Sequence, residues 1–357
     1  MKKDTPLYNS NKDKMEKISG LYIIRGKELV EVSEIQAGDI GATTKFEFTE
    51  TGDTLCDKNH SIKFKKIKYP TPILYYAIEA KSKNDEEKLS TSLRRLKEED
   101  PSFVIERNTE TKQLTIGGQG QVQLDVILEK LKNMFNVEVN IIPFIIPYRE
   151  TIKGTVEVQG KHKKQSGGAG QYGDVWIKFE PTEEDFVFES NIFGGSVPKN
   201  YFPAVEKGII DSMEHGVLAG YPMTQVKATL YDGSYHDVDS NEMSFKLAAA
   251  LAYRNGIKEA NPVLLEPIMK VEVLIPDEYL GDVMGDMNKR RGRILGMDQE
   301  VGGIQLLIAE APQAELFEYA INLRAMTQGR GTFSMEFVRY EEVPTLIAEK
   351  IIENSSK

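Results

Sequence analysis

The order of elements βαββαβ is legible twice in this chain, and it constrains the fold more than any other feature. Over residues 70–144 the strand "PILYYAIEA" leads to a helix begun by Asn84, with Glu87 three positions later in a capping-box pattern. Leu89, Leu93 and Leu96 then recur at helical spacing on one face. Strands "SFVIERN" and "KQLTIGG" form a hairpin across "TET". A second helix follows, with Val122, Val126, Leu131 and Phe135 among its apolar positions, and strand "VEVNII" closes the unit. Residues 266–341 repeat that order. Strand "PIMKVEVLIP" precedes a helix with Asp277 as N-cap and Gly292 beyond its end. Strands "RILGMDQ" and "GIQLLIAEA", the helix "QAELFEYAINLRAMTQG" and strand "TFSMEFVRY" complete it. This is the split-βαβ, or ferredoxin-like, arrangement. Two such units flanking a different middle domain form an architecture that a random α/β chain rarely produces.

The middle, 147–265, begins with strand "KGTVEVQGKH", a glycine-rich loop and strand "DVWIKFEP", where Val175, Ile177 and Phe179 alternate. A helix near 200–215 carries Val205, Ile209 and Met213 and stops at Gly216. Strand "QVKATLYDG" leads through "GSYHDVDS" into a helix with Asp239 as N-cap and Glu242 as its box partner. Met243, Leu247 and Leu251 form that helix's apolar face, and Gly256 ends it. Residues 18–66 read as short strands with turn punctuation, β-barrel material covering too few strands for a whole barrel. The tail, 343–357, reads as one short closing helix. The fold class is therefore α+β and multidomain.

Composition excludes several classes of function. A single cysteine, Cys56, rules out a disulfide framework or a multi-cysteine zinc site and points to a reducing, intracellular compartment. The N-terminal lysines have no apolar stretch behind them, so no secretory signal is expected. The most apolar run, "VNIIPFIIP", is short and broken by Pro143 and Pro147, which argues against a membrane span. A formal net charge of −10 argues against a protein that coats nucleic acid, yet leaves room for local basic patches. Two exist: "QGKHKKQS", with Lys161, Lys163 and Lys164, and "NKRRGR" at 288–293.

Three stretches invite chemical readings. In "GGAGQYGDVW" the spacing Gly168-x-Gly170-x-x-Gly173-x-Val175 matches a nucleotide-binding glycine loop. A dinucleotide site needs a helix N-terminus directly after the glycines, however, and a strand pattern follows here. The kinase partner motifs are absent as well. The loop is read as a hairpin end. "YDGSYHDVDS" offers Asp232, His236, Asp237 and Asp239, which suit a polar turn better than a metal site and also suit an anion at a helix N-terminus. Cys56 and His60 are read as structural. No catalytic constellation is found, and neither a metal nor a cofactor is expected to bind this chain.

Taken together, "KHKKQSGGAGQYGDVWIKFEP", "GGSVPKNYFPAVEKGI", "LAGYPMTQVKATLYDGSYHDVDSNEMSFKLAAALA", "YLGDVMGDMNKRRGRILGM" and "LRAMTQGRGTFSMEF" resemble the C-terminal half of bacterial elongation factor G. The resemblance covers nearly the whole chain. It implies that 1–67 is the remainder of the β-barrel domain II, 68–146 a ferredoxin-like domain III and 147–265 a ribosomal-protein-S5-like α/β domain IV. By the same resemblance, 266–342 is a ferredoxin-like domain V, and a C-terminal helix at 343–357 packs on domain IV. The parent's GTPase domain, with its GTP and Mg, has no counterpart among these motifs, so this portion is expected to be non-catalytic. The resemblance further implies cytoplasmic ribosome binding without a membrane, as a monomer, in GTP-dependent translocation of tRNA and mRNA.

The domain IV tip would enter the small-subunit decoding region. It would be built from loop 165–173 (Gln165, Ser166, Gly167, Gly168, Ala169, Gly170, Gln171 and Tyr172) and loop 232–239 (Tyr235, His236, Asp237 and Asp239). Lys161, Lys163 and Lys164 would meet RNA phosphates. Arg290, Arg291, Arg293, Arg324 and Arg330 are the candidates for facing large-subunit rRNA and proteins. The family's tip loop usually reads G-G-R-G-Q-Y-G-H. Here Ala169 replaces the arginine and Asp174 the histidine, so one positive charge is lost at the tip and one negative charge gained. That pattern resembles elongation-factor-G-like paralogues with recycling or specialised roles. An independent protein-binding scaffold is the reading from another class.

Overall fold

In a computed structural model of the chain, which describes residues 1–70, 72–109, 111–164 and 170–355, the N-terminal β-rich segment forms two small sheets and no closed barrel. Its strands are β1 (Pro6–Asn9), β2 (Lys14–Lys17), β3 (Leu21–Arg25), β4 (Glu28–Glu31), β5 (Ala42–Thr43) and β6 (Leu55–Cys56), in the orders β2-β1-β6 and β4-β3-β5. β1 and β2 escape a sequence reading because "PLYN" and "KMEK" alternate too weakly to register. The core here is small, with Ile18, Leu21 and Ile35 buried. A buried carboxylate supplements it: Glu16 accepts the backbone N–H groups of Glu47 (3.2 Å), Phe48 (2.6 Å) and Thr49 (2.8 Å) and the Thr49 hydroxyl (3.0 Å). Burial pushes the Glu16 carboxyl up, but these donors outweigh it and hold it below the usual glutamate range. The Cys56 thiol faces the carbonyls of Tyr8 and Ile62, each at 3.7 Å, rather than His60.

The first βαββαβ run folds as expected: β7 (Leu74–Ala80), α1 (Glu86–Glu99), β8 (Val104–Arg107), β9 (Leu114–Gly118), α2 (Gln121–Phe135) and β10 (Val139–Ile142). The sheet order is β10-β7-β9-β8, antiparallel throughout. Leu89, Leu93 and Leu96 are buried, as the periodicity requires. Two local expectations fail. Asn84 lies inside a 3₁₀ turn, Lys83–Asp85, that leads into α1, so it does not cap the helix. In α2 the buried face is Leu124, Ile127 and Leu131, while Val122 and Val126 are exposed.

Residues 1–143 and 144–357 form two compact units. The second contains β11 (Arg149–Ile152), β12 (Val156–Lys164), β13 (Gln171–Pro181), β14 (Phe186–Ser190), α3 (Phe202–Met213), β15 (Val226–Ser234) and α4 (Glu242–Gly256). It continues with β16 (Pro262–Pro276), α5 (Leu280–Lys289), β17 (Arg293–Glu300), β18 (Ile304–Pro312), α6 (Tyr319–Met326), β19 (Thr332–Glu342) and α7 (Thr345–Ser355). One sheet has the order β12-β13-β15-β14; in the other, β16 pairs with β11, β18 and β19, and β17 pairs with β18. The expected boundary at 265/266 therefore falls inside one continuous strand, β16, whose first four residues pair with β11. Glu150 on β11 is fully buried and accepts the N–H groups of Leu218 (2.8 Å), Ala219 (2.8 Å) and Tyr221 (3.2 Å), which pins that turn to the strand.

Val175, Ile177 and Phe179 point into the core with Val205 and Ile209 of α3, as expected. The α4 assignments need correction. Asn241, not Asp239, is the N-cap, its side chain accepting the Ser244 N–H at 2.9 Å. Met243 (57% exposed) and Leu247 (38%) face outward, and the buried face is Phe245, Ala248, Ala249 and Ala252. α4 packs against both the sheet and α3, closely enough that a Cβ on Gly160 of β12 would lie 2.0 Å from the Ala248 carbonyl oxygen and one on Gly208 of α3 2.5 Å from that of Lys246. Asp277 likewise sits in a 3₁₀ turn ahead of α5, where its carboxylate accepts from Gln305 Nε2 at 2.9 Å instead of capping. Among the described residues no helix is long and apolar enough to cross a membrane.

Candidate nucleic-acid interface

The register of three strands builds the site. β12 and β13 pair antiparallel up to Lys164 opposite Gln171, so the segment between them is a hairpin end and the residues after Gly173 are strand. Gln165, Ser166, Gly167, Gly168 and Ala169 lie outside the described residues. β13 also pairs with β15, and a bulge between Trp176 and Ile177 brings Ser234 opposite Asp174. The loop carrying His236 leaves β15 at this same end.

The two loops are joined by hydrogen bonds to backbone. Tyr172 donates its N–H to the Asp239 carbonyl at 2.9 Å, and Ser240 Oγ donates to the Tyr172 carbonyl at 2.9 Å. Two glycines serve this closeness. A Cβ on Gly170 would lie 2.4 Å from the Asp239 carboxyl carbon, and one on Gly173 would lie 2.3 Å from the Ser244 carbonyl oxygen. Steric room for the His236 loop and for α4 accounts for both.

His236 is half exposed, its ring 6.4 Å from that of Tyr172. Its Nδ1 accepts the N–H groups of Val238 (3.3 Å) and Asp239 (3.2 Å), a network that assigns the neutral ring's proton to Nε2. Asp239 Oδ2 stands 3.5 Å from the same Nδ1, an ion pair only for a protonated ring. Tyr235 and Asp237 are exposed on the loop.

Behind the tip, Asp174 is 5% exposed and so does not add a surface negative charge, contrary to the sequence expectation. It accepts from Gln159 Nε2 (2.8 Å) and Ser234 Oγ (2.8 Å), and the Tyr172 hydroxyl hydrogen-bonds to Ser234 Oγ at 2.7 Å. Lys161 Nζ stands 3.4 Å from Asp174 Oδ2 and over the Tyr172 ring at 5.5 Å. Asp174's charge, then the bond with Tyr172, push the Lys161 ammonium above its ordinary value. Lys161 thus has a carboxylate partner, while its side chain stays exposed. Lys163 and Lys164 are exposed and have no carboxylate partner among the described residues. Ser234, Ser240 and Gln159 escape sequence reasoning because neither periodicity nor spacing marks them; only strand register brings them together.

The five arginines separate in the same way. Arg290 is turned inward, bonded to Asp286 (2.6 Å) and the Glu315 carbonyl (2.7 Å) and placed over the Tyr319 ring. Arg291 is bound by the buried carboxylate of Glu266. Arg330 bonds Glu278 and Tyr279 at the surface. Arg293 lines a small cleft with Arg291, Arg339, Glu266 and Glu310. Arg324 sits in the last turn of α6. Among the described residues no group of three or more histidine, cysteine or acidic side chains is arranged to hold a metal.

Residues 69–143, 145–261 and 263–351 match, in that order, the sequence families described as Elongation Factor G, domain III; Elongation factor G, domain IV; and Elongation factor G C-terminus. The chain belongs to the elongation factor G family. Its fold is also similar to a crystal structure of a protein from Thermus thermophilus, with 42% identity, a TM-score of 0.86 and coverage of 100% of this chain and 54% of that one. This chain thus spans about half the length of that relative. In elongation factor G terms, the Tyr172–Asp174–His236 cluster lies within the domain IV match and the arginines within the C-terminal match.

Proposed function

We propose that this chain is the ribosome-facing portion of a translation elongation factor that promotes GTP-dependent translocation of tRNA and mRNA. In this reading the hairpin and the His236 loop together enter the decoding region of the small subunit, while the C-terminal domain meets large-subunit rRNA and proteins. The observation that carries it is the junction of Tyr172 with Asp239 and Ser240, which ties the start of β13 to the His236 loop. This end of the sheet presents the groups RNA requires: lysines without carboxylate partners among the described residues for phosphates, and an imidazole N–H and an aromatic ring for 2′-hydroxyls and bases. No catalytic step is assigned to the chain, and GTP and Mg belong in this reading to a nucleotide-binding domain of the full-length protein. Asp174 favours a second reading within the family, an elongation-factor-G-like paralogue with a recycling or specialised role, because its carboxylate stands 3.4 Å from Lys161 and partly offsets that lysine's charge.

Co-sedimentation with bacterial ribosomes through a KCl series tests the proposal. Binding should weaken with salt, and replacing Lys163 and Lys164 by glutamine should lower the log–log slope by about 1.4–1.8, at roughly 0.7–0.9 per phosphate contact. A folded chain that binds no ribosomes, or binds them without salt dependence, refutes it in favour of a protein-binding scaffold.

A further inference from the structure

A third loop stands at the same end of the sheet as the tip. β14 runs parallel to β15, with Ser190 opposite Leu230, so both strands end toward the hairpin. The segment 191–198 leaves β14 there, and its base is fixed at two points. Asn191 donates its N–H to the Leu230 carbonyl at 2.8 Å. Val197 is 1% exposed and lies over Gly233, where an added Cβ would come within 2.5 Å of its Cγ2. Tyr201, just beyond, donates its hydroxyl to the Ser240 carbonyl at 3.2 Å, which ties this segment to the His236 loop as well.

Between those anchors Phe193 is 96% exposed, more than any other large apolar side chain among the described residues. Gly194 and Gly195 follow it at φ +71° and +78°. Two successive residues in that left-handed region turn the chain sharply back, so the ring projects from a rigid base rather than folding onto it. A phenyl ring held in water forfeits its burial free energy and regains it only on a partner.

The surroundings indicate which partner. The rim of Asn191, Gly194, Gly195, Lys199 and Asn200 is exposed and polar or without side chain, a poor match to an apolar protein pocket. Lys199 has no carboxylate partner among the described residues, and the exposed Tyr235 and His236 stand on the adjoining loop. Aromatic rings interleaved with such lysines suit single-stranded RNA, where the lysines meet phosphates and each ring a base face. We propose that Phe193 stacks on an unpaired nucleobase of the RNA that the tip engages. The proposal rests on the ribosome-binding reading above and adds a third contact to it.

The test is the same co-sedimentation with Phe193→Ala, Phe193→Leu and Phe193→Tyr, each checked for an unchanged melting temperature. Loss of a base–aromatic stack should weaken binding by roughly 5- to 150-fold for alanine, and for leucine nearly as much, with tyrosine within about twofold of the unsubstituted chain. The salt slope should not change, because the stack carries no charge. Binding retained by leucine but lost by alanine would assign Phe193 to a protein pocket and overturn the proposal. Unchanged binding by alanine, or a lowered melting temperature, overturns it too. Failure of the unsubstituted chain to bind with salt dependence would instead bring down the underlying ribosome-binding reading.

Discussion

Asp174→Ala separates a buried polar network from the surface charge that the sequence suggests. In the folded chain Asp174 is 5% exposed and accepts from Gln159 and Ser234, each at 2.8 Å. Alanine would strand both donors, and a stranded buried donor costs about 1–3 kcal/mol. Both partners are only partly buried, so the lower half of that range applies, giving about 2–4 kcal/mol for the pair. The Lys161 contact adds little, since that side chain is 47% exposed and water replaces the carboxylate readily. Thermal unfolding can be followed through Trp176, the single tryptophan, two residues along β13 from Asp174. For a unit of this size about 2–4 °C is lost per kcal/mol, so the midpoint should fall by roughly 4–16 °C. Asp174→Asn should fall by less, because it keeps one acceptor and both neighbours can reorient. An alanine variant that melts within a degree of the unsubstituted chain would show that water already reaches these groups, and the argument for a buried positioning network would fail.

Two further outcomes test the steric and electrostatic arguments. Gly173→Ala should destabilise by about 1–3 kcal/mol in urea, because the new methyl meets the backbone of Ser244. Gly281→Ala in α5, where a Cβ meets nothing within 4 Å, should stabilise by about 0.5–1 kcal/mol; equal signs for the two would contradict that packing. The Glu16 carboxyl is held below its ordinary value of 4.5, so its contribution is fully present above that pH and is lost as the pH falls through the lower folded-state value. The melting-temperature gap between the unsubstituted chain and Glu16→Gln should therefore be constant from about pH 5 to 7 and narrow in acid, at pH values under about 4.5. A gap that widens on acidification would reverse the sign of the argument.

Much of the fold is legible because it rests on short-range pattern. Val175, Ile177 and Phe179 alternate in sequence and are buried together. Leu89, Leu93 and Leu96 do the same at helical spacing. Helix starts are less legible. Asn84 and Asp277 look like caps, but each belongs to a 3₁₀ turn that already satisfies the first N–H groups by i→i+3 bonds. The α4 face fails for a different reason. Large apolar residues are read as core, whereas a helix packed closely on two sides buries its alanines and leaves Met243 and Leu247 outside.

The candidate site shows the same division. The sequence alone determined that the glycines lead into a strand and not a helix, that lysines flank them, and that the chain has the segment order of elongation factor G. Those properties depend on neighbours a few residues apart. Only the tertiary structure decided that Asp174 is buried, that Lys161 is its counter-charge, that Tyr172 is bonded to the His236 loop, and that Phe193 stands at the same end of the sheet. Each of these follows from which residues two strands place opposite one another. Register is set by packing across the whole sheet, where a bulge of one residue at Tyr231 is enough to bring Ser234, and not its neighbour, to Asp174.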